Sequence, residues 1–361
     1  MKQEQMVIAT THPEFSDAGF SELKQFDNKL THVAQLAPGI TLCATPEVEK
    51  LMHMAAEQQP IFVRHLAPVQ TIVTLKNTEQ DIGTLAVTLA ELPAFSQLER
   101  GQYFAVQTRL LQSDEYTIQR PYSSGQVNRI LAEAINEETG ATESIRKPRI
   151  IVSLLCIADK GYLGISTAHE NLSDWPGGAR HYAQTPEQIS RAEFKLLEAL
   201  EVFGVQLPSH GRALDLGAAP GGWTRLLLEA GLHVVAVDPA NLDPRLHESS
   251  RLEHYRGYAE TYLEDAVKKH RRFDLIVNDM RMDAREASRV LGQAAPCLHP
   301  KGFIISVFKL PHETREIQPL MTLKEAMSTL KKYYAIVHAR QLFHNRQEVT
   351  VIAAQPLTTR A

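Results

Sequence analysis

Two lysines and two acidic residues in the second half of the chain have the types and positions needed to move a proton. Asp279 follows the apolar run FDLIVN, Lys309 ends FIISVFK, and Glu348 begins EVTVIAA. The carboxyl ends of the strands in an open α/β sheet border one crevice, and an antiparallel last strand begins at that same edge. Lys195, in an earlier helix candidate, completes the set. A neutral lysine amine in such a crevice can accept the proton of a weakly acidic hydroxyl.

A glycine-rich turn precedes most of these residues. The string DLGAAPGGW at 215–223 joins a strand candidate to a helix candidate, and Asp238 ends the next strand candidate, HVVAVD. A dinucleotide site needs G-x-G-x-x-G beside a pyrophosphate, whereas here a carboxylate precedes G-x-x-x-G-G and would repel that anion. The pattern favours S-adenosylmethionine, a cationic ligand whose ribose Asp238 can bind; the alternative is a tight turn without a ligand. The predicted cofactor-binding residues are Asp215, Gly217, Ala218, Pro220, Gly221, Gly222, Trp223, Asp238 and Asp279.

The loop after FDLIVN excludes two other kinds of methyl transfer. Methylation of an exocyclic amine uses an Asn/Asp-Pro-Pro-aromatic loop at this place, but this chain has Asn278-Asp279-Met280-Arg281. Methylation of cytosine C5 needs a cysteine nucleophile near the loop, and Cys297 lies beyond it, at the end of an apparent helix. Both of these kinds of methyl transfer therefore lack their essential group in this chain.

Each of these charged residues also has an ordinary explanation when it is taken alone. Lys195 is spaced to form an i,i+3 ion pair with Glu198 on one helix, and Glu348 is a charge at the edge of a strand. Their joint occurrence beside the glycine-rich turn favours a functional set.

The chain separates by pattern into four regions that position these residues. We predict an α+β module at 1–59, a second α+β module at 60–168, a linker rich in Pro, Gly, Asn and Ser at 169–186, and strict α/β alternation at 187–361. Six strand candidates with interleaved helices in the last region predict a mostly parallel sheet, with the final two strands as an antiparallel edge hairpin. In the second module, apolar residues at helical spacing predict a helix that ends at Gly140.

The composition of the chain excludes several classes of protein. The 361 residues carry a formal net charge of −4, and no apolar stretch is long enough to cross a membrane. Three widely spaced cysteines form neither a zinc pattern nor a disulfide framework, so we expect a cytoplasmic protein without a metal site. Binding to a polyanion must therefore rest on local basic patches.

The four charged residues and DLGAAPGGW resemble the Lys-Asp-Lys-Glu tetrad and cofactor motif of the FtsJ/RrmJ-type RNA ribose 2′-O-methyltransferases. The resemblance is closer to the RlmM-type enzymes, which modify a cytidine ribose of bacterial large-subunit rRNA. It covers residues 60–355 and is carried by SRAEFKLLEAL (190–200), LDLGAAPGGWT (214–224), FKLP (308–311) and RQLFHNRQEVTV (340–351). It implies an α/β Rossmann-like methyltransferase domain at 187–361, preceded by an α+β N-terminal module and a THUMP-like RNA-binding domain at 60–168.

The resemblance also implies an activity and a role for each residue. We expect S-adenosylmethionine-dependent 2′-O-methylation of a cytidine in large-subunit (23S) rRNA, free or in an assembling subunit. Lys309 acts as the base, Lys195 and Glu348 as positioning groups, and Asp279 as the link between donor and acceptor. The alternatives are a 2′-O-methyltransferase of tRNA or another RNA, and a non-catalytic assembly factor that binds the cofactor. The predicted RNA-binding residues are Arg191, Arg281 and Arg285, the last two on one helical face; Tyr258 and Glu260 are candidates for contacts with the adenine.

Overall fold

The apolar runs of the sequence form three β-sheets. The computed structural model describes residues 4–112, 118–312 and 319–357. Two of the sheets belong to one compact unit, Met1–Ala179, and the third belongs to a second unit, Arg180–Ala361. The boundary between the units falls inside the segment 169–186 that the composition predicts as a linker.

The first sheet of the N-terminal unit is antiparallel throughout and has the order β2-β3-β1-β4. Its strands are β1 (Gln5–Thr10), β2 (Thr31–Ala37), β3 (Ile40–Thr45) and β4 (His65–Val69). The helices α1 (Ser16–Phe26) and α2 (Val48–Gln58) cover it, and their side chains Leu23, Leu51 and Ala55 share a core with Val7 and Leu66. Because β4 pairs with β1, a strand from beyond residue 59 completes this sheet.

The second sheet of this unit is mixed and has the order β5-β9-β8-β6-β7. Its strands are β5 (Thr71–Thr74), β6 (Tyr103–Leu110), β7 (Thr142–Glu143), β8 (Ile150–Ile157) and β9 (Lys160–Thr167), and its helices are α3 (Gln80–Ala90) and α4 (Ser124–Thr139). A reciprocal capping box between Ser123 and Gln126 begins α4, and Gly140, with φ of 71°, ends it as predicted.

The sheet of the C-terminal unit has seven strands in the order β12-β11-β10-β13-β14-β16-β15. They are β10 (Arg212–Leu216), β11 (His233–Val237), β12 (Leu252–Tyr255), β13 (Phe273–Asn278), β14 (Leu298–Lys309), β15 (Tyr334–Arg340) and β16 (Glu348–Pro356). The first five strands of the sheet order pair in parallel, and β16 is antiparallel to both of its neighbours. This confirms the predicted Rossmann-like sheet with an antiparallel edge hairpin. The sequence analysis missed β12, a short edge strand with no fully buried residue.

Within the described residues, the α-helices that accompany this sheet are α5 (Ala192–Val202), α6 (Gly222–Glu229), α7 (Ala259–Lys268), α8 (Ala284–Ala294) and α9 (Pro319–Leu330). Leu196 of α5 and Leu227 of α6 are fully buried in a core that includes Val234, Leu275 and Val307 from the strands. This packing places α5 against the sheet that carries the other candidate residues. No helix in the described parts of the chain is long and apolar enough to cross a membrane.

Candidate active site

The register between β14 and β16 decides where the predicted site residues meet. Lys309, the last residue of β14, is the direct partner of Glu348, the first residue of β16. Asp279 follows β13, the neighbour of β14 on its other side. The antiparallel direction of β16 therefore places Glu348 at the carboxyl edge of the parallel strands, as the sequence predicts.

Lys195 connects the acidic residues of this edge. Its Nζ atom lies 2.8 Å from Oε2 of Glu348 and donates to Oδ1 and Oδ2 of Asp279 at 3.2 and 3.3 Å. The Nζ atom of Lys309 lies 3.7 Å from Oε1 of Glu348. The four predicted residues thus form one network of ion pairs, and Lys195 contacts carboxylates from two different strand ends.

The surroundings of the two lysines differ. The side chain of Lys309 is 36% exposed, whereas that of Lys195 is 16% exposed. Burial raises the pKa of Asp279, Lys195 opposes that shift, and the nearby Glu348 carboxylate adds to it. Lys195 therefore holds two crowded carboxylates together, while Lys309 is the lysine that an incoming molecule reaches more easily.

The glycine-rich turn after β10 is tightly folded. Gly217 has φ of 73°, and a Cβ atom there would lie 2.6 Å from Cγ of Met280; Gly221 has φ of 114°. Only glycine adopts such backbone angles freely. Asp238 braces the turn, since its Oδ2 accepts from the N–H of Ala219 at 3.1 Å and its Oδ1 from the N–H of Ala240 at 2.8 Å. Each carboxylate oxygen keeps a second acceptor position for a ligand.

Two of the residues predicted to bind the cofactor contact α5 or the residues just before it. The indole N–H of Trp223 donates to the carbonyl of Ala192 at 2.6 Å, and its side chain is buried. A Cβ atom at Gly222 would collide with Ser190 and Glu193. These two residues allow α6 to lie close to the start of α5, the helix that carries Lys195.

The acidic side chains at this edge also indicate which kind of ligand the site can bind. Burial raises the pKa of Asp215 to about 7, the hydrogen bond from Thr224 opposes the shift, and the charges of Asp279 and Asp238 add to it. Thr224 Oγ1 donates to Asp215 Oδ2 at 2.6 Å. Asp238 and Asp279 follow the ends of β11 and β13, on either side of β10, and negative charge at this edge attracts a positively charged ligand and repels a pyrophosphate. The residues present therefore fit a sulfonium cofactor with an amino-acid moiety.

The three predicted RNA-binding arginines have different surroundings. Arg191 and Arg281 are exposed. Arg285 is also exposed, but its Nε lies 2.7 Å from Oε2 of Glu325, and its guanidinium donates to Thr322. The expectation that Arg281 and Arg285 share a helical face is wrong, because Asp283 caps the helix by accepting from the N–H of Arg285 and α8 begins only at Ala284.

Tyr258 and Glu260, the candidates for contacts with the adenine, lie where α7 begins. Tyr258 precedes the first residue of the helix and is 70% exposed, and Glu260 is in the first turn. Among the described residues, no group of three His, Cys, Asp or Glu side chains is arranged to hold a metal ion.

Sequence reasoning missed two buried polar residues around the network. Glu198 does not pair with Lys195; its carboxylate accepts instead from the backbone N–H groups of Phe343 and His344. Asn278 donates to Ser306 Oγ at 2.8 Å and accepts from the N–H of Met280 at 3.1 Å. The only signals in the sequence were a glutamate on the buried face of α5 and an asparagine directly before Asp279.

Comparisons with known proteins show which sequences and structures this chain resembles. Residues 188–320 match the model of the FtsJ-like methyltransferase family. The ribosomal RNA large subunit methyltransferase M of Halorhodospira halophila is 35% identical over 182 residues, which cover 50% of this chain and 51% of that protein. The protein of the same name from Psychromonas ingrahamii is 27% identical over 322 residues, covering 86% of this chain and 83% of that protein. The first of these alignments spans about half of the relative's length.

Among solved structures, TrmN from Thermus thermophilus matches with a TM-score of 0.40 and 18% sequence identity. The match covers 97% of this chain and 99% of that chain.

Proposed function

We propose that this chain, in which residues 188–320 are an FtsJ-like methyltransferase domain, transfers a methyl group from S-adenosylmethionine to a ribose 2′-hydroxyl of large-subunit rRNA. The observation that carries the proposal is the network of Lys195, Asp279, Lys309 and Glu348 beside the glycine-rich turn. This network offers an amine and carboxylates for the transfer of a proton. The loop after β13 offers neither the paired prolines of amine methylation nor a cysteine nucleophile.

The methyl donor binds at the carboxyl ends of β10, β11 and β13. Asp238 binds the ribose of the donor, and the backbone at Gly217–Gly221 accommodates its amino-acid part. Asp215 braces the turn from inside through Thr224. When bound, S-adenosylmethionine supplies an electrophilic methyl group.

Lys309 acts on the acceptor. A ribose hydroxyl is hardly ionised near neutral pH, so it needs a base as the methyl group moves. Lys309 Nζ, in its neutral form, accepts that proton, and Glu348 stabilises the resulting ammonium group at 3.7 Å. Lys195 fixes Glu348 and Asp279 relative to each other. Alignment of the reacting atoms, which these groups provide, can contribute on the order of 7–11 kcal/mol to the barrier reduction in enzymes.

The acceptor is a cytidine of large-subunit (23S) rRNA, either free or in an assembling subunit in the cytoplasm. The names of the two relatives support the choice of large-subunit rRNA over tRNA. Exposed Arg191 and Arg281 contact phosphates near the network, and Arg285 does so only if it leaves Glu325. Residues 60–168 contribute a THUMP-like RNA-binding domain, which follows the N-terminal module at 1–59 and supplies that module's fourth strand, β4; residues 169–186 connect them to the catalytic domain at 187–361.

The test is transfer of labelled methyl from S-adenosylmethionine to unmodified bulk rRNA and, separately, to tRNA, followed by alkaline hydrolysis. A 2′-O-methyl group blocks cleavage of its own phosphodiester bond, so label in alkali-resistant dinucleotides from rRNA is the expected result. Label in mononucleotides would show that a base is modified and would overturn the proposal. Label in tRNA alone would keep the chemistry but change the substrate, and cofactor binding without transfer to RNA or to ribosomal particles would indicate an assembly factor.

A further inference from the structure

A buried carboxylate on α5 binds the loop that leads into β16. The side chain of Glu198 is 3% exposed. Its Oε1 accepts from the N–H of Phe343 at 2.8 Å, and its Oε2 accepts from the N–H of His344 at 2.9 Å. The Nδ1 atom of His344 lies 2.8 Å from the same Oε2 and completes a set of three contacts. Glu198 therefore uses both of its oxygens on two successive residues of one loop.

The loop comprises residues 341–347, and the buried side-chain amides of Gln341 and Asn345 hold it in a compact conformation. Oδ1 of Asn345 accepts from the N–H of Leu342 at 2.9 Å and from Thr350 Oγ1 of β16 at 3.0 Å. Nε2 of Gln341 donates to the carbonyl of Arg346 at 3.0 Å. The loop thus behaves as one folded piece, and a shift at residues 343–344 is passed on to the start of β16.

The loop ends at Glu348, the carboxylate that both lysines of the network contact. The carbonyl of Gln347 accepts from the N–H of Leu310 at 3.1 Å, directly after Lys309, so the end of the loop is also tied to β14. Glu198 lies one turn after Lys195 on α5, so the helix contacts Glu348 directly through Lys195 and indirectly through the loop. The position of Glu348 relative to α5 is therefore defined from two sides.

We infer that Glu198 is a positioning residue of the methyl-transfer reaction: by holding the backbone at Phe343 and His344, it sets the position of Glu348 between Lys195 and Lys309. The inference rests on the proposed function for its kinetic consequences. A glutamine cannot replace Glu198, because its amide offers one oxygen and presents N–H donors to a backbone N–H. A displacement of about 1 Å in a catalytic group can cost about 100-fold in rate.

The first experiment compares Glu198→Gln with the unchanged protein. We expect kcat for RNA methylation to fall about 10- to 100-fold, with the Kd for S-adenosylmethionine within about 2-fold, because the donor site lies at β10 and β11. His344→Ala removes one side-chain contact and leaves both backbone contacts, so it should lower kcat much less. Should Glu198→Gln fail to fold, Glu198→Asp replaces it, since it keeps a carboxylate at a shorter reach.

A matched control separates positioning from general destabilisation. Glu22 on α1, outside the proposed catalytic and RNA-binding domains, is also a carboxylate whose two oxygens accept from successive backbone N–H groups, those of Ile61 at 2.9 Å and Phe62 at 2.8 Å. Glu22→Gln should lower Tm as Glu198→Gln does, but leave kcat at saturating RNA unchanged. Equal losses of kcat in the two variants would refute the inference.

A double-mutant cycle tests whether Glu198 acts through Glu348. Glu348→Gln alone should reduce kcat, and adding Glu198→Gln should reduce it no further, because the group that is positioned is already altered. Multiplied losses in the double variant would show that Glu198 acts elsewhere and would overturn the inference.

Amide hydrogen exchange gives a readout that does not need RNA methylation. In Glu198→Gln, exchange should accelerate at Phe343 and His344 and also at Leu310, whose N–H donates to the carbonyl of Gln347 directly before Glu348. If exchange accelerates only at residues 343–344, the effect of Glu198 is confined to the backbone that it contacts. The inference would then fail even if the protein methylates ribose. If the protein proves to have another activity, this exchange pattern still decides whether Glu198 positions Glu348.

Discussion

At the residue scale, the two lysines of the network have different partners and different access to solvent. Lys195 contacts two carboxylates from within a protected position, whereas Lys309 contacts one at 3.7 Å and is 36% exposed. A side chain that is held by two charges is suited to orienting the groups around it. A side chain that is exposed to solvent is suited to contacting a substrate. This difference supports the assignment of the base to Lys309.

We expect Lys309→Met to lower kcat for ribose methylation by at least about 100-fold, because the side chain keeps its length and loses its proton acceptor. The Kd for S-adenosylmethionine should change little. Single-turnover methyl transfer and calorimetric titration measure the two quantities. Lys331→Met, at an exposed position after α9, is the control, and full activity of Lys309→Met would refute the assignment.

Asp215 predicts a pH dependence of stability. Burial raises its pKa in the folded protein to about 7, from an ordinary value of 3.8. Because the folded state binds this proton more tightly than the unfolded state, the stabilising contribution is complete below pH 3.8 and is lost as pH rises through about 7. Above that pH, the folded protein contains a buried charge that Thr224 only partly compensates.

Asp215→Asn should remove this dependence, because an amide oxygen can accept from Thr224 without becoming charged. Between pH 5 and pH 8, the free energy of unfolding of the variant should gain on the order of 2–3 kcal/mol relative to the unchanged protein. Urea unfolding at the two pH values, without the methyl donor, measures the change. A constant difference between the two proteins would mean that Asp215 is ionised throughout this range.

At the element scale, the end of β13 is joined to β14 by a buried side-chain bond. Asn278 and Ser306 are both fully buried, and their side chains bond at 2.8 Å, while Oδ1 of Asn278 fixes the N–H of Met280. This arrangement holds Asp279 in the loop between two anchored residues.

Asn278→Ala should therefore lower both stability and rate. Loss of the two bonds leaves buried polar groups unpaired, which costs about 1–3 kcal/mol in the free energy of unfolding, and displacement of Asp279 should reduce kcat. Denaturant unfolding and single-turnover transfer measure the two effects. Asn171→Ala, at a fully buried asparagine of the N-terminal unit, is the matched control; an equal effect on kcat would contradict the explanation.

Elements with strong local patterns agree with the sequence analysis. The helix α4 begins at a capping box and ends at Gly140, and the apolar runs before Asp279 and Lys309 are strands. The strand β12 is different, because its side chains are at most half-buried and therefore show no apolar pattern. Local periodicity detects an element only when one of its faces is buried.

At the scale of the whole molecule, strand pairing determines which segments fold together. β4 lies after residue 59 and pairs with β1 through five residues, and Gln70 bonds to the backbone of Ile165 in β9. The two sheets of the N-terminal unit therefore depend on each other. The chain divides into two compact units after Ala179.

We expect residues 1–179 and 180–361, expressed separately, each to unfold in a single cooperative thermal transition. Residues 1–59 alone should not, because they lack β4 and expose the edge of β1. Circular dichroism melts of the three fragments provide the measurement, with the full chain as the reference. Cooperative folding of 1–59 would support a separate N-terminal module instead.

Local patterns in the sequence are enough to predict which residues end the strands and where the backbone turns. Gly217 and Gly221 adopt positive φ angles that glycine allows freely, and Asp279 and Lys309 lie at strand ends that follow from apolar runs. These are local properties, so one sequence with a strong pattern is enough to predict them.

The sequence predicts that the four charged residues of the network meet at one edge of the sheet, but their direct contacts follow from the tertiary structure. The β14–β16 register placed Glu348 opposite Lys309, and α5 directed Glu198 to the loop at 343–344 instead of to Lys195. Arg285 likewise forms an ion pair with Glu325 on α9. Charged side chains have several possible partners along a chain, and the choice among them depends on packing between elements that are distant in sequence.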